Sequence, residues 1–334
     1  MARPQLQARV TIGDPMPRIT LPLASGSLFD SWDSATCGMG RVYWLGPPPA
    51  PANAAQLAEK LAGSETLLHF VGGASPQGAD MAASWLLDRG GELSRAFGAT
   101  GPLAIIVDAA GRVAALVPQP TADAVEAEAV RLYAASPSSI VQARAPVLLL
   151  ERVIEPAMCQ TLIEYWQGGV KLANTVGSNA GNVFNPDIKR RQDVQVDDPA
   201  MFMQLRDCLV RRVMPAMFQA FHARINVIEA PLVGCYEAGS GWFRRHRDNS
   251  SSQNAHRQFA LSLNLNAGEE YDGGEVRFPE YGRQLYRPAM GEALVFSCSL
   301  LHEVQPVTRG RRFGVFAFLS ASGPAVTAGP SLRR

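Results

Sequence analysis

The apolar positions of this 334-residue chain change rhythm near residue 140. Before it, short continuous apolar runs alternate with stretches spaced for helix. Arg41-Val-Tyr-Trp-Leu45 reads as a buried strand, ended by Pro47-Pro48-Pro49, and 54–61 combines helical spacing with good helix formers. Gly13-Asp14-Pro15-Met16-Pro17 leads into a short strand, and 67–72 is another. Residues 88–97 predict a helix. The apolar run at 103–108, then Ala-Ala-Gly and 112–117, predicts a hairpin, and a helix over 122–135 closes the unit. Strands alternating with helices argue for an α/β domain over 1–140.

The stretch 134–146 has linker composition, and a second domain is assigned to 146–322. It opens with a strand at 147–154 and a helix from Pro156 to about residue 166, with proline in the first turn. The glycine-rich 177–187 reads as a mobile loop. A strand follows at 189–196, then one long amphipathic helix over 199–223. From Pro231 onward short strands and glycine turns dominate, which predicts a double-sheet β-roll. Within 258–266, Phe259, Leu261, Leu263 and Leu265 share one face, and Ala260, Ser262, Asn264 and Asn266 share the other. The apolar face suits packing under helices; the polar face suits a pocket, with Asn264 as a candidate. Residues 323–334 are small and polar and read as a flexible tail.

Composition adds bounds. Nearly half of the residues are hydrophobic and the formal net charge is +1, which is ordinary globular material for two cores. Near-neutrality gives no reason to expect nucleic acid or an anionic membrane as partner. No apolar run is long enough to span a bilayer and the first residues lack an apolar leader segment, so the expected location is the cytoplasm. The cysteines, 37, 159, 208, 235 and 298, are scattered and lack a C-x-x-C. They read as buried free thiols rather than a disulfide framework or zinc site.

The chemistry concentrates at F-R-R-H-R-D-N, residues 243–249. On a strand, His246 and Asp248 would point the same way. Alone, the pair is also what an exposed edge strand gives. Downstream, L-L-H-E-V-Q-P-V-T-R-G-R-R-F adds His302 and, ten residues later, Arg312. Two histidines and one carboxylate with open positions suit non-haem Fe(II). Arg312 shares a strand face with Gly314 and Phe316, and Arg311 points to the other. Arg244, Arg245, Arg247 and Arg257 cluster around the pair. A solvated face is the first reading for them, an acidic or peptide substrate the second. His69, His222 and His256 have no partner in the pattern and read as structural or exposed.

The ordered pieces Tyr236, Gly239, H-R-D at 246–248, G-G-E-V-R-F at 273–278, H-E-V-Q-P-V at 302–307 and Arg312 resemble the 2-oxoglutarate- and Fe(II)-dependent dioxygenases of the prolyl 4-hydroxylase type. The resemblance covers about 147–320. It implies an α+β jelly-roll, a double-stranded β-helix, with Fe(II) on His246, Asp248 and His302. It implies 2-oxoglutarate as cosubstrate, held by Arg312, with Tyr236 donating to the same carboxylate and Asn264 in the pocket. It further implies O2 as co-reactant, ascorbate as an optional reductant, and hydroxylation of a protein, peptide or small molecule with release of succinate and CO2. Gly314 would leave room for the cosubstrate where plant-type relatives carry serine.

The first domain resembles the peroxiredoxin branch of the thioredoxin-like fold, through G-D-P-M-P, R-V-Y-W-L, R-A-F-G-A-T-G-P and I-I-V-D-A-A-G-R-V. That family's peroxidatic cysteine follows the first core strand. Here the loop reads G-P-P-P-A-P-A-N-A-A, and Cys37 precedes the strand. Without a thiolate the domain has no nucleophile, and it reads as a non-catalytic module. The rival for the whole chain is a metal-binding sensor or partner-binding protein with no turnover.

Overall fold

The computed structural model describes residues 9–31, 33, 37–74, 85–135, 144–172, 175–178, 181–184 and 189–321. The chain divides into two compact units, Met1–Ile140 and Val141–Arg334. The linker core at 136–143 and the tail from 322 lie outside the described residues.

The first unit contains β1 (Thr20–Pro22), β2 (Leu28–Asp30), β3 (Gly40–Leu45), β4 (Thr66–Gly72), β5 (Trp85–Leu87), β6 (Leu103–Val107) and β7 (Val113–Pro118), with α1 (Pro51–Ala62), α2 (Glu92–Phe97) and α3 (Ala122–Ala135). β1 and β2 pair as a hairpin, and the other strands form one sheet in the order β5-β4-β3-β6-β7. β3, β4 and β5 run parallel; β6 and β7 run antiparallel to their neighbours. α1 begins at Pro51, earlier than its spacing suggested, because proline is tolerated in a first turn. α2 begins later than expected. Asp88 sits ahead of it and accepts from the backbone N–H groups of Glu92 (2.8 Å) and Leu93 (3.0 Å). Apolar side chains fill both faces of the sheet. Val42, Trp44, Leu57, Leu61 and Val125 pack on one, and Tyr43, Leu45, Val71, Leu93 and Phe97 on the other.

The second unit begins with β8 (Val147–Leu150), which a left-handed Arg152 (φ 55°) follows. Next come α4 (Pro156–Gly168), β9 (Thr175–Ser178), β10 (Gly181–Phe184), β11 (Lys189–Arg190) and β12 (Gln192–Gln195). The described part of the glycine-rich stretch is a β9–β10 hairpin rather than an unpaired loop; 179–180 and 185–188 lie outside the described residues. The strand expected at 189–196 is broken at Arg191, where the chain crosses from one sheet to the other.

The helix expected at 199–223 is also broken, into α5 (Pro199–Cys208), a π-helical turn at Leu209–Val213, and α6 (Met214–Phe221). Pro215 has no N–H to donate and its ring crowds the carbonyl four residues back, so the winding must change there.

The remaining strands are β13 (Val227–Ile228), β14 (Leu232–Glu237), β15 (Trp242–His246), β16 (Phe259–Asn264), β17 (Tyr271–Gly273), β18 (Val276–Arg277), β19 (Leu285–Tyr286), β20 (Ala293–Ser297), β21 (His302–Val304) and β22 (Val307–Ser320). They build two antiparallel sheets. The larger runs β12-β14-β22-β16-β20-β8, with β13 and β17 on β22; the smaller runs β11-β15-β21-β18-β19. This is the two-sheet jelly-roll. The alternation in β16 decides its packing. Leu261, Leu263 and Leu265 join Leu162, Trp166, Leu205 and Met217 in the core under the helices, while Ala260 faces the roll interior. Truncating Leu263 there would cost about 2–5 kcal/mol.

Candidate active site

β15 and β21 are neighbours, and His246 and His302 are direct cross-strand partners. Asp248 lies two residues beyond the end of β15, in a turn, so strand alternation does not place it beside His246. The turn itself delivers the carboxylate: the Asp248 N–H donates to the Cys298 carbonyl at 3.0 Å, which fixes it beside β20's end. Asp248 Oδ1 lies 3.3 Å from His246 Nε2, and Oδ2 lies 3.5 Å from His302 Nε2. One ligand atom from each residue falls within 4.8 Å of the others.

The ring orientations are set from behind. Nδ1 of His246 faces the Arg244 carbonyl (2.7 Å) and Nδ1 of His302 the Leu300 carbonyl (3.0 Å). Each Nδ1 therefore carries the proton, and each Nε2 lone pair is left for a metal. His246 Nε2 is buried and makes no hydrogen bond among the described residues. The Phe243 ring stacks on His246 with centroids 3.5 Å apart. Burial pushes His302 down to about 4, so its imidazole is neutral. Burial alone would raise Asp248, but the two histidines outweigh it and hold the carboxyl below its usual range. Neutral imidazoles and an ionised carboxylate are the forms a divalent cation needs.

Arg312 points inward from β22 and is 2% exposed, while Arg311 is exposed. Its Nη1 donates to the Gly274 carbonyl (2.6 Å) and Nη2 to Ser262 Oγ (3.1 Å). Among the described residues no carboxylate pairs with it. Gly274 has φ +74°, and a Cβ there would come within 2.9 Å of Arg312 Cδ. Such a glycine lets the backbone approach the guanidinium closely.

Tyr236 is Arg312's neighbour on β14 and is fully buried. Its hydroxyl accepts from Arg191 Nη1 at 3.4 Å. Asn264 is buried too, but its amide is already used: Nδ2 donates to the Asn266 carbonyl (2.8 Å), and Oδ1 accepts from Tyr271 (3.2 Å). Asn264 thus ties the sheet rather than opening into a pocket. The room expected at Gly314 is also taken, since a Cβ there would meet the Phe316 ring at 2.9 Å and the Leu263 carbonyl at 3.0 Å.

Three of the four clustered arginines have carboxylate partners: Arg245 with Glu303, Arg247 with Glu280, and Arg257 with Glu229. His256 shares Glu229 (2.9 Å), and His222 ends α6 in a left-handed conformation beside Phe218. The sequence reading missed Lys189, Arg191 and Asp193, which face the roll interior. A signal was present: charged residues at every second position of a predicted strand share one face. Of the cysteines, 159, 235 and 298 are buried as expected, 208 is half-buried, and Cys37 is exposed.

Comparison with known proteins bears on the same stretch. Residues 232–320 match the family model of the 2OG-Fe(II) oxygenase superfamily. A PKHD-type hydroxylase of Synechococcus sp. (strain JA-2-3B'a(2-13)) is 34% identical over 104 residues, 30% of this chain and 46% of that protein. Another from Stutzerimonas stutzeri (strain A1501) is 31% identical over 130 residues, 34% of this chain and 57% of that protein. The chain thus spans about half the length of the curated relatives it matches. Among solved structures, a Trichoplax adhaerens prolyl hydroxylase aligns with TM-score 0.45 and 16% identity, over 53% of this chain and 84% of that one. A Pseudomonas putida prolyl-4-hydroxylase aligns with TM-score 0.40 and 18% identity, over 54% and 94%. The C-terminal unit thus carries a 2OG-Fe(II) oxygenase domain, similar over this stretch to PKHD-type hydroxylases.

Proposed function

We propose that this chain is an Fe(II)- and 2-oxoglutarate-dependent dioxygenase, a hydroxylase of the prolyl 4-hydroxylase type. One observation carries the reading: two Nε2 lone pairs and a carboxylate converge in the same roll as a buried arginine that, among the described residues, has no carboxylate of its own. His246, Asp248 and His302 would hold the metal, which when bound supplies O2 activation coupled to decarboxylation of 2-oxoglutarate to succinate and CO2. Arg312 would take the far carboxylate, which its planar fork matches. Gly274 and Ser262 hold that fork in place beforehand, so little ordering is left for binding. Phe243, Val304 and Phe316 line the interior and keep water from it. The prime substrate is a protein, a peptide or a small molecule.

The test is succinate formation from 2-oxoglutarate by the full chain, with ascorbate present. It should require both Fe(II) and O2. A protein that binds iron and 2-oxoglutarate but never forms succinate, with any candidate substrate, would support the non-catalytic sensor instead.

For the first unit we propose a thioredoxin-like module without peroxidase chemistry, in a chain that works in the cytoplasm. What supports the fold assignment is the strand order, three parallel strands and then an antiparallel hairpin, with α1 and α3 against one face. Residues 46–50 fill the place after β3 where a peroxidatic cysteine would sit. Peroxide reduction with a dithiol donor should be at background and unchanged in Cys37→Ser. Activity lost in that variant would refute the assignment of Cys37.

A further inference from the structure

Lys189 and Arg191 enter the roll interior from the sheet crossover and share one carboxylate. Arg191's fork takes both oxygens of Asp193, with Nη2 at 3.1 Å from Oδ2, and Lys189 Nζ reaches the same Oδ2 at 2.6 Å. The three residues are 6%, 7% and 3% exposed for Lys189, Arg191 and Asp193. Gly234 on β14 makes room for them, since a Cβ there would lie 2.6 Å from Asp193 Oδ1 and 2.8 Å from Arg191 Cδ. Arg191 is further engaged by Tyr236 and by the Phe316 ring, 3.7 Å from its guanidinium carbon. Lys189 is not matched in this way. An ammonium has three donors, and among the described residues the bond to Asp193 is the one hydrogen bond Lys189 makes.

Charge makes the same point. In the loaded site of the proposed oxygenase, the divalent metal is balanced by Asp248 and by one carboxylate of 2-oxoglutarate. Arg312 balances the other carboxylate, and Asp193 balances Arg191. Among the described residues one positive charge is left over, the ammonium of Lys189. Burial and the nearby Arg191 pull Lys189 down to about 8, so it still carries its proton at pH 7. A desolvated charge with half a counterion is costly unless a ligand completes it. Its position suits that role. Lys189 pairs across the sheet with Phe243, its Nζ lies 5.8 Å from that ring's centre, and the ring stacks on His246.

We propose that Lys189 receives a carboxylate of the prime substrate, so that the molecules this site accepts are acids. The inference rests on the oxygenase reading for the charge balance. It relocates acid recognition from the surface arginines, three of which are already paired, to one buried lysine. The carboxylate is either that of a free acid or an acidic side chain beside the residue modified.

The test uses the full chain loaded with Fe(II) and saturating 2-oxoglutarate under argon. Acetate and acetamide are titrated separately, and broadening of their methyl NMR signals by the paramagnetic metal is followed. Acetate should bind about tenfold or more tighter than acetamide in wild type and in Lys189→Arg, as a charge-assisted contact would give. In Lys189→Met the two probes should bind within about twofold of each other. Lys189→Gln, which can keep a hydrogen bond to Asp193, should match Lys189→Met and guards against a folding defect in either.

Acetate preference that survives both neutral variants, or is absent from wild type, overturns the proposal. The oxygenase reading is checked in the same samples by the visible charge-transfer band of 2-oxoglutarate chelated to Fe(II). No band sinks that reading by itself; a band without acetate preference sinks only the role of Lys189. The source of the carboxylate is told by two matched pairs, proline against prolinamide and a blocked Pro-Glu against a blocked Pro-Gln. The pair whose acid member shows the preference names it, and indifference in both pairs counts against substrate binding at Lys189.

Discussion

Each unit of this chain buries a histidine and an arginine close to strands, and the two outcomes differ. His69 in the first unit and His302 in the second are both pushed by burial down to about 4. His69 sits between the rings of Phe29 and Tyr43, with centroids at 4.5 and 5.7 Å, and among the described residues neither of its nitrogens has a hydrogen-bond partner. His302 has one nitrogen anchored on a carbonyl and the other converging with His246 and Asp248. Arg41 donates to the Ser31 carbonyl (2.6 Å) and leaves Nε unmet among the described residues, whereas Arg312 is gripped at both ends of its fork. A perturbed pKa therefore does not by itself mark a site; it also arises wherever an aromatic core closes over a polar ring. What separates the two regions is convergence, in which the Arg244 and Leu300 carbonyls behind the rings aim the histidines at one point with Asp248.

The largest expected effect tests that convergence. Asp248→Ala removes the only carboxylate of the cluster, so bound iron per chain and 2-oxoglutarate turnover should both fall to background. His69→Phe should leave both unchanged. Iron retained by the Asp248 variant would dissolve the distinction between the two histidine environments.

A smaller effect is expected at Arg312. Arg312→Ala should raise the apparent KM for 2-oxoglutarate by roughly ten- to hundredfold, as loss of a charge-assisted bidentate contact of about 1.5–3 kcal/mol predicts. Iron content should hold. Arg311→Ala should be close to silent, because that side chain faces solvent. Sensitivity at Arg311 instead would mean that the facing of β22 is inverted.

That facing was legible in the sequence, because strand alternation needs only local pattern. The same rule correctly put Leu261 and Leu263 under the helices. It gave His246 and Asp248 for a partly wrong reason, since Asp248 comes from a turn pinned by Cys298, a contact no local pattern encodes. The hydrophobic period over 199–223 hid the break that Pro215 imposes. β5, three residues long, was too short to carry a period. The buried Lys189–Asp193–Arg191 cluster was readable as a charged strand face, but its burial was not: that depends on Gly234 and Phe316, far away along the chain. Asn264 was rightly assigned to the inner face, and its amide was then spent on Asn266 and Tyr271.

The smallest effect sharpens the comparison from the side of the first unit, through the pH dependence of stability. Unfolded His69 takes up its proton near pH 6.5, whereas folded His69 does so only near 4. Between these values the unfolded state holds more protons, so the unfolding free energy must rise with pH and fall as acid is added. From pH 6.5 to 4 the loss assignable to His69 is roughly 2–3 kcal/mol. His302 contributes in the same direction in metal-free protein, so the wild-type curve alone cannot apportion it. The difference between wild type and His69→Phe can, because His302 is common to both and phenylalanine fits an apolar slot between two aromatic rings. Chemical denaturation at several pH values should give curves that converge toward neutral pH and separate in acid, with the variant flatter. Parallel curves would mean that His69 finds a proton acceptor in the folded chain, and its core would then resemble the environment of His302 more closely than the geometry indicates.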